Sequence, residues 1–257
     1  MVSFDPASLM NLLAAVFWPF LRIGAMFMAA PIFGSASVPV RIRVLLALLL
    51  AWVVTPLVPA MPSVDPFSAT GILVSLQQIA IGLAMGFLLQ LAFSATVLAG
   101  QTIAMTMGLG FASMVDPESG IQVPVISQFL TIMTTLLFLG LDGHLLIIIS
   151  LVESFRSLPV AVTLFSPDLL MNLVTFAGHV FLMALVIALP VVIAVLIVNL
   201  SLGVVTRAAP QLNIFAVGFP VTILVGLFVM FLSLGVMQTG VLQLFDDTFE
   251  LLAAMVG

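Results

Sequence analysis

Four ionisable residues stand close together in an otherwise uncharged part of the chain: Asp142, His144, Glu153 and Arg156. In a membrane-embedded protein a carboxylate, an imidazole and a cation at such spacing are what a proton relay needs. The competing reading is structural. Asp142-Gly143 then marks a bend, and Glu153 and Arg156, three residues apart, pair on one helix face. A hydroxyl nucleophile served by His144 and Asp142 fits less well, because residues two apart do not share a helix face and no nucleophile elbow occurs. His179, Asn199 and Ser201 are the notable polar side chains of a later apolar run, and a lone histidine there reads as a packing residue. With no cysteine, thiolate and disulfide chemistry is excluded; two histidines and no tyrosine leave little catalytic chemistry, and no metal or cofactor site is expected.

The elements that must carry these groups are apolar helices. Hydrophobic residues make up 63% of the 257 positions and charged residues 6%, against about a quarter charged in an ordinary soluble domain. The net charge is −5 and there is no lysine, so nothing resembles a nucleic-acid footprint. No basic residue precedes Arg22, so a cleavable signal peptide is not expected. The first helix is predicted from about Leu9 to Ala30 and contains Arg22. A lone arginine at the centre of a span costs about 2.5–3.5 kcal/mol on insertion scales, so Arg22 must face a protein partner or snorkel.

Pro31, Gly34 and Pro39 shape a loop that sets Arg41 and Arg43 before the second apolar run, Val44 to Val58, as an interfacial anchor. The third run, Gly71 to Met107, would extend about 55 Å as one helix, well beyond a hydrocarbon core of about 30 Å. It must either kink near Gly100 or leave the lipid. Gly82, Ala84, Gly86, Ala92, Ser94, Ala95, Ala99 and Gly100 favour close helix packing. Val125 to Val152 follows, interrupted at Asp142-Gly143-His144. Leu169 to Val205 and Leu212 to Leu244 read as a helical hairpin, with Pro190 kinking its first arm. The acidic and apolar alternation after Leu244 suggests an interfacial segment.

Between the third and fourth runs lies Gly108 to Pro124, which no helix can cross because of Gly108, Gly110, Pro117, Gly120 and Pro124. It carries Asp116 and Glu118 yet keeps Leu109, Phe111, Met114, Val115 and Ile121. That mixture fits a loop tucked into protein, while a short solvent turn is the alternative. Six apolar segments put Arg41, Arg43 and Arg207 in odd-numbered loops and Arg156 among the even ones. The positive-inside rule then directs odd loops to the cytoplasm and both termini outward.

Ala30-Pro31-Ile-Phe-Gly34 with Pro39, Arg41 and Arg43 is the first of five motifs in consistent order. The others are Gly100-Gln101 with Gly108-Leu-Gly-Phe-Ala112 and Asp116-Pro117, then Gln128-Phe129, then Asp142-Gly143-His144, then Arg207-Ala-Ala-Pro210-Gln211-Leu-Asn213 running on to Pro220. On these the chain resembles the FliR family, flagellar and type III secretion export-gate proteins, over nearly its whole length. The resemblance implies an all-α, polytopic helical membrane-type protein. It implies a FliP-like part over residues 1–165 and a FliQ-like C-terminal hairpin over 166–257. The implied role is non-enzymatic: with FliP and FliQ, and joined by FlhB, it would form the inner-membrane pore at the flagellar basal body through which unfolded flagellar proteins leave. Gly108, Gly110, Phe111, Met114, Val115, Asp116, Pro117 and Gly120 would then belong to a loop that keeps the pore shut. Arg22, Arg41, Arg43, Asp142, His144, Glu153, Arg156, Arg207, Pro210, Gln211 and Asn213 would serve packing or assembly. The rival class is a proton- or ion-coupled small-molecule transporter. No paired interrupted helices in two related halves, the transporter signature, are visible.

Overall fold

The structure, a computed structural model, describes residues 6–59, 64–110, 124–161, 167–209 and 214–256. These residues form seven α-helices and one 3₁₀ turn, with no strand among them: α1 (Pro6–Ala29), α2 (Val40–Val54), the turn Thr55–Leu57, α3 (Ala69–Thr106), α4 (Val125–Gly140), α5 (Gly143–Ser157), α6 (Pro167–Ala208) and α7 (Ile214–Val256). Four helices are long and apolar enough to cross a membrane: α2 with its turn, α3, α6 and α7. The broken pair α4 and α5 is a fifth candidate.

Local chemistry sets the helix ends. Pro31 cannot continue α1, and Pro39 opens α2 without a side-chain cap. Arg43, in the first turn of α2, instead ties the preceding loop to the helix by donating to the carbonyls of Ser35 and Val38. At the start of α3 the Ser68 hydroxyl accepts from the Gly71 amide at 3.0 Å, the N-cap to N3 bond, while Asp65 receives the Phe67 amide at 2.9 Å. The far end of α3 closes with a Schellman motif. Leu109 donates to the Ala104 carbonyl and Gly108 to that of Met105, with Gly108 in the left-handed region at φ 83°. The helix needs no break at Gly100: its 38 residues are continuous, giving about 57 Å of helix contour. The last helix likewise runs past Leu244 to Val256, so the acidic segment Asp246 to Glu250 belongs to α7 and forms no separate interfacial element. The arms of the hairpin are 42 and 43 residues long, and Pro190 and Pro220 both lie inside them.

The chain divides into two compact units. Unit one comprises residues 1–91, 138–174 and 248–257. Its core joins Trp18, Arg22, Ile23, Met26 and Phe27 of α1 to Ile81, Met85 and Leu88 of α3 and to Ile147, Leu151 and Phe155 of α5. α1 and α3 run parallel, because Gly82 abuts the backbone of Arg22 and Met26 while Gly86 abuts that of Met26 and Ala30, one turn further along both. Gly82 and Gly86 form a GxxxG pair, and such small-residue contacts stand in for the hydrophobic drive that lipid removes.

Unit two comprises residues 92–137 and 175–247. Here Ala92, Ala95, Ala99 and Ile103 of α3 are fully buried, and Gly100 lies against Ser127 of α4. α6 and α7 are antiparallel: Ile187 contacts Gly240, and eight residues earlier His179 meets Asp247. Many large apolar side chains stay exposed, among them Phe181, Leu182, Leu196, Leu200, Leu224, Phe228, Phe231 and Leu232. Surface of this kind is not tolerated in water by a monomer and calls for lipid or partner chains.

Candidate functional site

The first candidate centre is Arg22, which lies in unit one and is completely buried. It does not snorkel. Nε donates to Gln78 Oε1 at 2.8 Å, Nη1 to the Ser154 carbonyl at 2.7 Å and hydroxyl at 3.0 Å, and Nη2 to the Leu158 carbonyl at 2.8 Å. The guanidinium also stands over the Phe155 ring, 4.1 Å from its centroid. No carboxylate lies within ion-pairing distance among the described residues. The charge is met instead by carbonyls at the C-terminal end of α5, where the helix dipole is negative: that of Ser154, which also receives the Leu158 amide, and that of Leu158 at the C-cap. A planar fork of five donors can satisfy several acceptors at once, which an ammonium cannot.

The second centre is the C-terminal end of α3, in unit two. A side chain at Gly108 would meet the Phe219 ring at 2.7 Å, the Thr222 hydroxyl donates to the Met107 carbonyl at 3.1 Å, and Gly226 packs on the Met107 side chain. The end of α3 is therefore seated on α7. Gly110 is described, whereas Phe111, Met114, Val115, Asp116, Pro117 and Gly120 lie outside the described residues.

Asp142, His144, Glu153 and Arg156 do not form one site. Asp142 precedes α5 in the left-handed region at φ 56°, exposed and without a side-chain capping bond. His144 is half-buried, and its Nδ1 has no hydrogen-bond partner. Glu153 and Arg156 sit at the other end of the helix, about 16 Å away along its axis. They pair at 3.1 Å on one helix face with side chains 54% and 57% exposed, so the buried pair that a packing cluster would need is absent. Gly143, between the halves, packs against the Phe138 ring.

Arg41 is exposed at the start of α2, beside exposed Val40 and Ile42, and Arg43 caps the preceding loop. Arg207 is exposed in the last turn of α6, where a cation complements the helix dipole. Pro210, Gln211 and Asn213 lie outside the described residues. Sequence reasoning did not reach Gln78, Ser154, Phe155 and Leu158 as the partners of Arg22, nor Asp247 as that of His179, 2.8 Å away. For Gln78 a signal existed: it is a strong hydrogen-bonding side chain in the middle of an apolar run.

Long apolar helices, apolar outer surfaces and few ionisable groups define the class, a polytopic helical membrane protein. Over residues 13–248 the sequence matches the family described as bacterial export proteins, family 1. It is 38% identical over 253 residues to the flagellar biosynthetic protein FliR of Pectobacterium carotovorum subsp. carotovorum, covering 98% of this chain and 97% of that protein. Against the flagellar biosynthetic protein FliR of Escherichia coli (strain K12) the identity is 38% over 240 residues, covering 93% and 92%. Against that of Bacillus subtilis (strain 168) it is 30% over 256 residues, covering 97% and 98%. The chain belongs to the FliR family of bacterial export proteins.

Proposed function

We propose that this chain is a non-enzymatic subunit of the flagellar type III export gate, forming with FliP and FliQ the pore through which unfolded flagellar proteins are secreted. The carrying observation is likeness along the whole chain to proteins named for flagellar biosynthesis within an export family. In this reading residues 1–165 play the FliP-like part and residues 166–257 the FliQ-like hairpin. FlhB joins the assembly in the bacterial inner membrane at the flagellar basal body, and the odd-numbered loops with Arg41, Arg43 and Arg207 face the cytoplasm. The exposed apolar faces of α6 and α7 support the reading, since they need neighbours that a hetero-oligomer or lipid would supply.

The loop after Gly108 is the plug. A lumen wide enough for an unfolded chain leaks ions unless something fills it, and glycines with Phe111, Met114 and Val115 can fill it and still yield. The transporter alternative needs Asp142, His144, Glu153 and Arg156 to act together, and the separation of these residues along α5 speaks against it. Deleting Gly110 to Gly120 in cells that carry the rest of the apparatus tests the proposal. The variant should still co-purify with FliP and FliQ and should admit small solutes that the parent excludes, with the leak vanishing when FliP is absent. An assembled complex with unchanged permeability would reduce the loop to a connector. Failure of the intact chain to co-purify with FliP and FliQ would sink the export-gate reading.

A further inference from the structure

The surroundings of Arg22 are rich in donors and short of acceptors. Its guanidinium carries five N–H groups, and four acceptors meet them, all neutral. Gln78 turns its oxygen to Arg22, which leaves its Nε2 as a buried donor with no partner. Trp18 Nε1 is a second buried donor with no partner. Both residues are wholly inaccessible, as is Arg22. Trp18 is one turn before Arg22 on the same face of α1. The parallel register of α1 and α3 brings Gln78, one turn before Gly82, to the level of Trp18 and Arg22. Three buried donor groups from two helices therefore share one layer of the core. Buried polar groups are almost always satisfied, and an unmet one costs about 1–3 kcal/mol, so a layer with such an excess points to an acceptor supplied from outside the chain.

We propose that Trp18, Arg22 and Gln78 form a binding site for a small monovalent anion of the halide class, taken up as the chain folds. A water molecule accepts hydrogen bonds but brings two hydrogens of its own that need acceptors, and the four oxygens that meet the guanidinium already receive it. A halide brings acceptor capacity alone. It also brings a full negative charge to a buried guanidinium that meets only neutral groups, with no carboxylate beside it among the described residues. The site is sealed, because all three side chains have no exposed surface. A carboxylate on a partner protein would have to open the helix packing to reach it. The inference does not rest on the export-gate reading, and a failure of either leaves the other standing.

The chain has two tryptophans, Trp18 and Trp52, so Trp52→Phe leaves Trp18 as the sole fluorophore. Detergent-solubilised full-length protein carrying this change is purified and refolded in gluconate, chloride or bromide. Bromide bound at the site should quench Trp18 to a plateau as its concentration rises, with chloride competing, and chloride should raise the unfolding temperature over gluconate until the effect saturates. Gln78→Glu places a carboxylate beside Arg22 and replaces the anion, so both the quenching and the chloride dependence should disappear while the protein stays folded. Unquenched Trp18 and equal unfolding temperatures in all three salts would overturn the proposal, whether the space then holds water or nothing. Quenching that rises linearly without a plateau would also overturn it, since that is collisional.

Discussion

Arg22 on α1 and Ser154 on α5, 132 residues apart in the chain, are joined by two hydrogen bonds from one guanidinium nitrogen, to the carbonyl and to the hydroxyl. The same hydroxyl donates back to the Leu151 carbonyl at 2.6 Å, so the serine is fixed on both sides. A buried cation thus fastens the end of α5 to α1 and, through Gln78, to α3.

Replacing Arg22 separates charge from geometry. Arg22→Leu orphans Gln78 Oε1 and removes partners from the end of α5, at about 1–3 kcal/mol for each buried polar group left unpaired. Arg22→Lys keeps the charge but cannot span acceptors on two helices, so it should recover little of the loss. Thermal unfolding of the solubilised chain measures both. A lysine variant as stable as the parent would show that charge alone matters at this position.

Glycine contacts give a second, sharper contrast. A side chain at Gly86 would stand 2.6 Å from the Met26 carbonyl, and backbone cannot yield as a side chain can. Gly86→Val should therefore abolish the folded chain, and Gly82→Val should do the same. At Gly178 and Gly235 an added methyl meets nothing within 4 Å. Alanine there should hold or raise stability by up to about 1 kcal/mol through helix propensity. Equal loss of folded protein on size exclusion for all four variants would contradict the close parallel packing of α1 and α3.

The helix scaffold was legible in the sequence because long apolar runs bounded by proline and glycine leave little freedom. The extent of α3 followed from Gly71 to Met107, and the break at Asp142-Gly143 from a charge beside glycine. What periodicity could not give was partnership. Arg22 reads identically whether it snorkels or is buried, since Ser154 and Leu158 meet it through backbone carbonyls, which every residue carries. His179 looked solitary because its partner Asp247 lies on the other arm of the hairpin. Proline is the one breaker that the apolar runs override: Pro190, read as a kink within one arm, and Pro220 both lie inside helices that continue past them. In a membrane helix, neighbouring helices can satisfy the carbonyl that proline frees.

The Glu153–Arg156 pair carries a modest prediction. A buried pair would cost several kcal/mol to break, but these side chains are more than half exposed. Exposed pairs contribute about 0.2–1 kcal/mol, so Glu153→Gln and Arg156→Gln should leave the unfolding midpoint of the isolated chain nearly unchanged. A large drop for either variant would mean that the face is covered.

Gly108 and Phe219 supply the last prediction, because their contact seats the end of α3 on α7. Two independent constraints act on Gly108. Its φ of 83° lies in the left-handed region, which costs an L-residue about 1–2 kcal/mol, and the Phe219 ring occupies the space a side chain would need. Gly108→Ala should therefore destabilise the chain by both terms, whereas Phe219→Ala alone leaves the backbone unstrained and removes only packing. In the double variant the steric term is gone and the conformational one remains. The two changes should be less than additive, with Gly108→Ala costing about 1–2 kcal/mol in the Phe219→Ala background and more in the parent. Thermal unfolding of the four proteins completes the cycle. Strict additivity would mean that residue 108 and the Phe219 ring do not touch, and the seating of the α3 end on α7 would have to be abandoned.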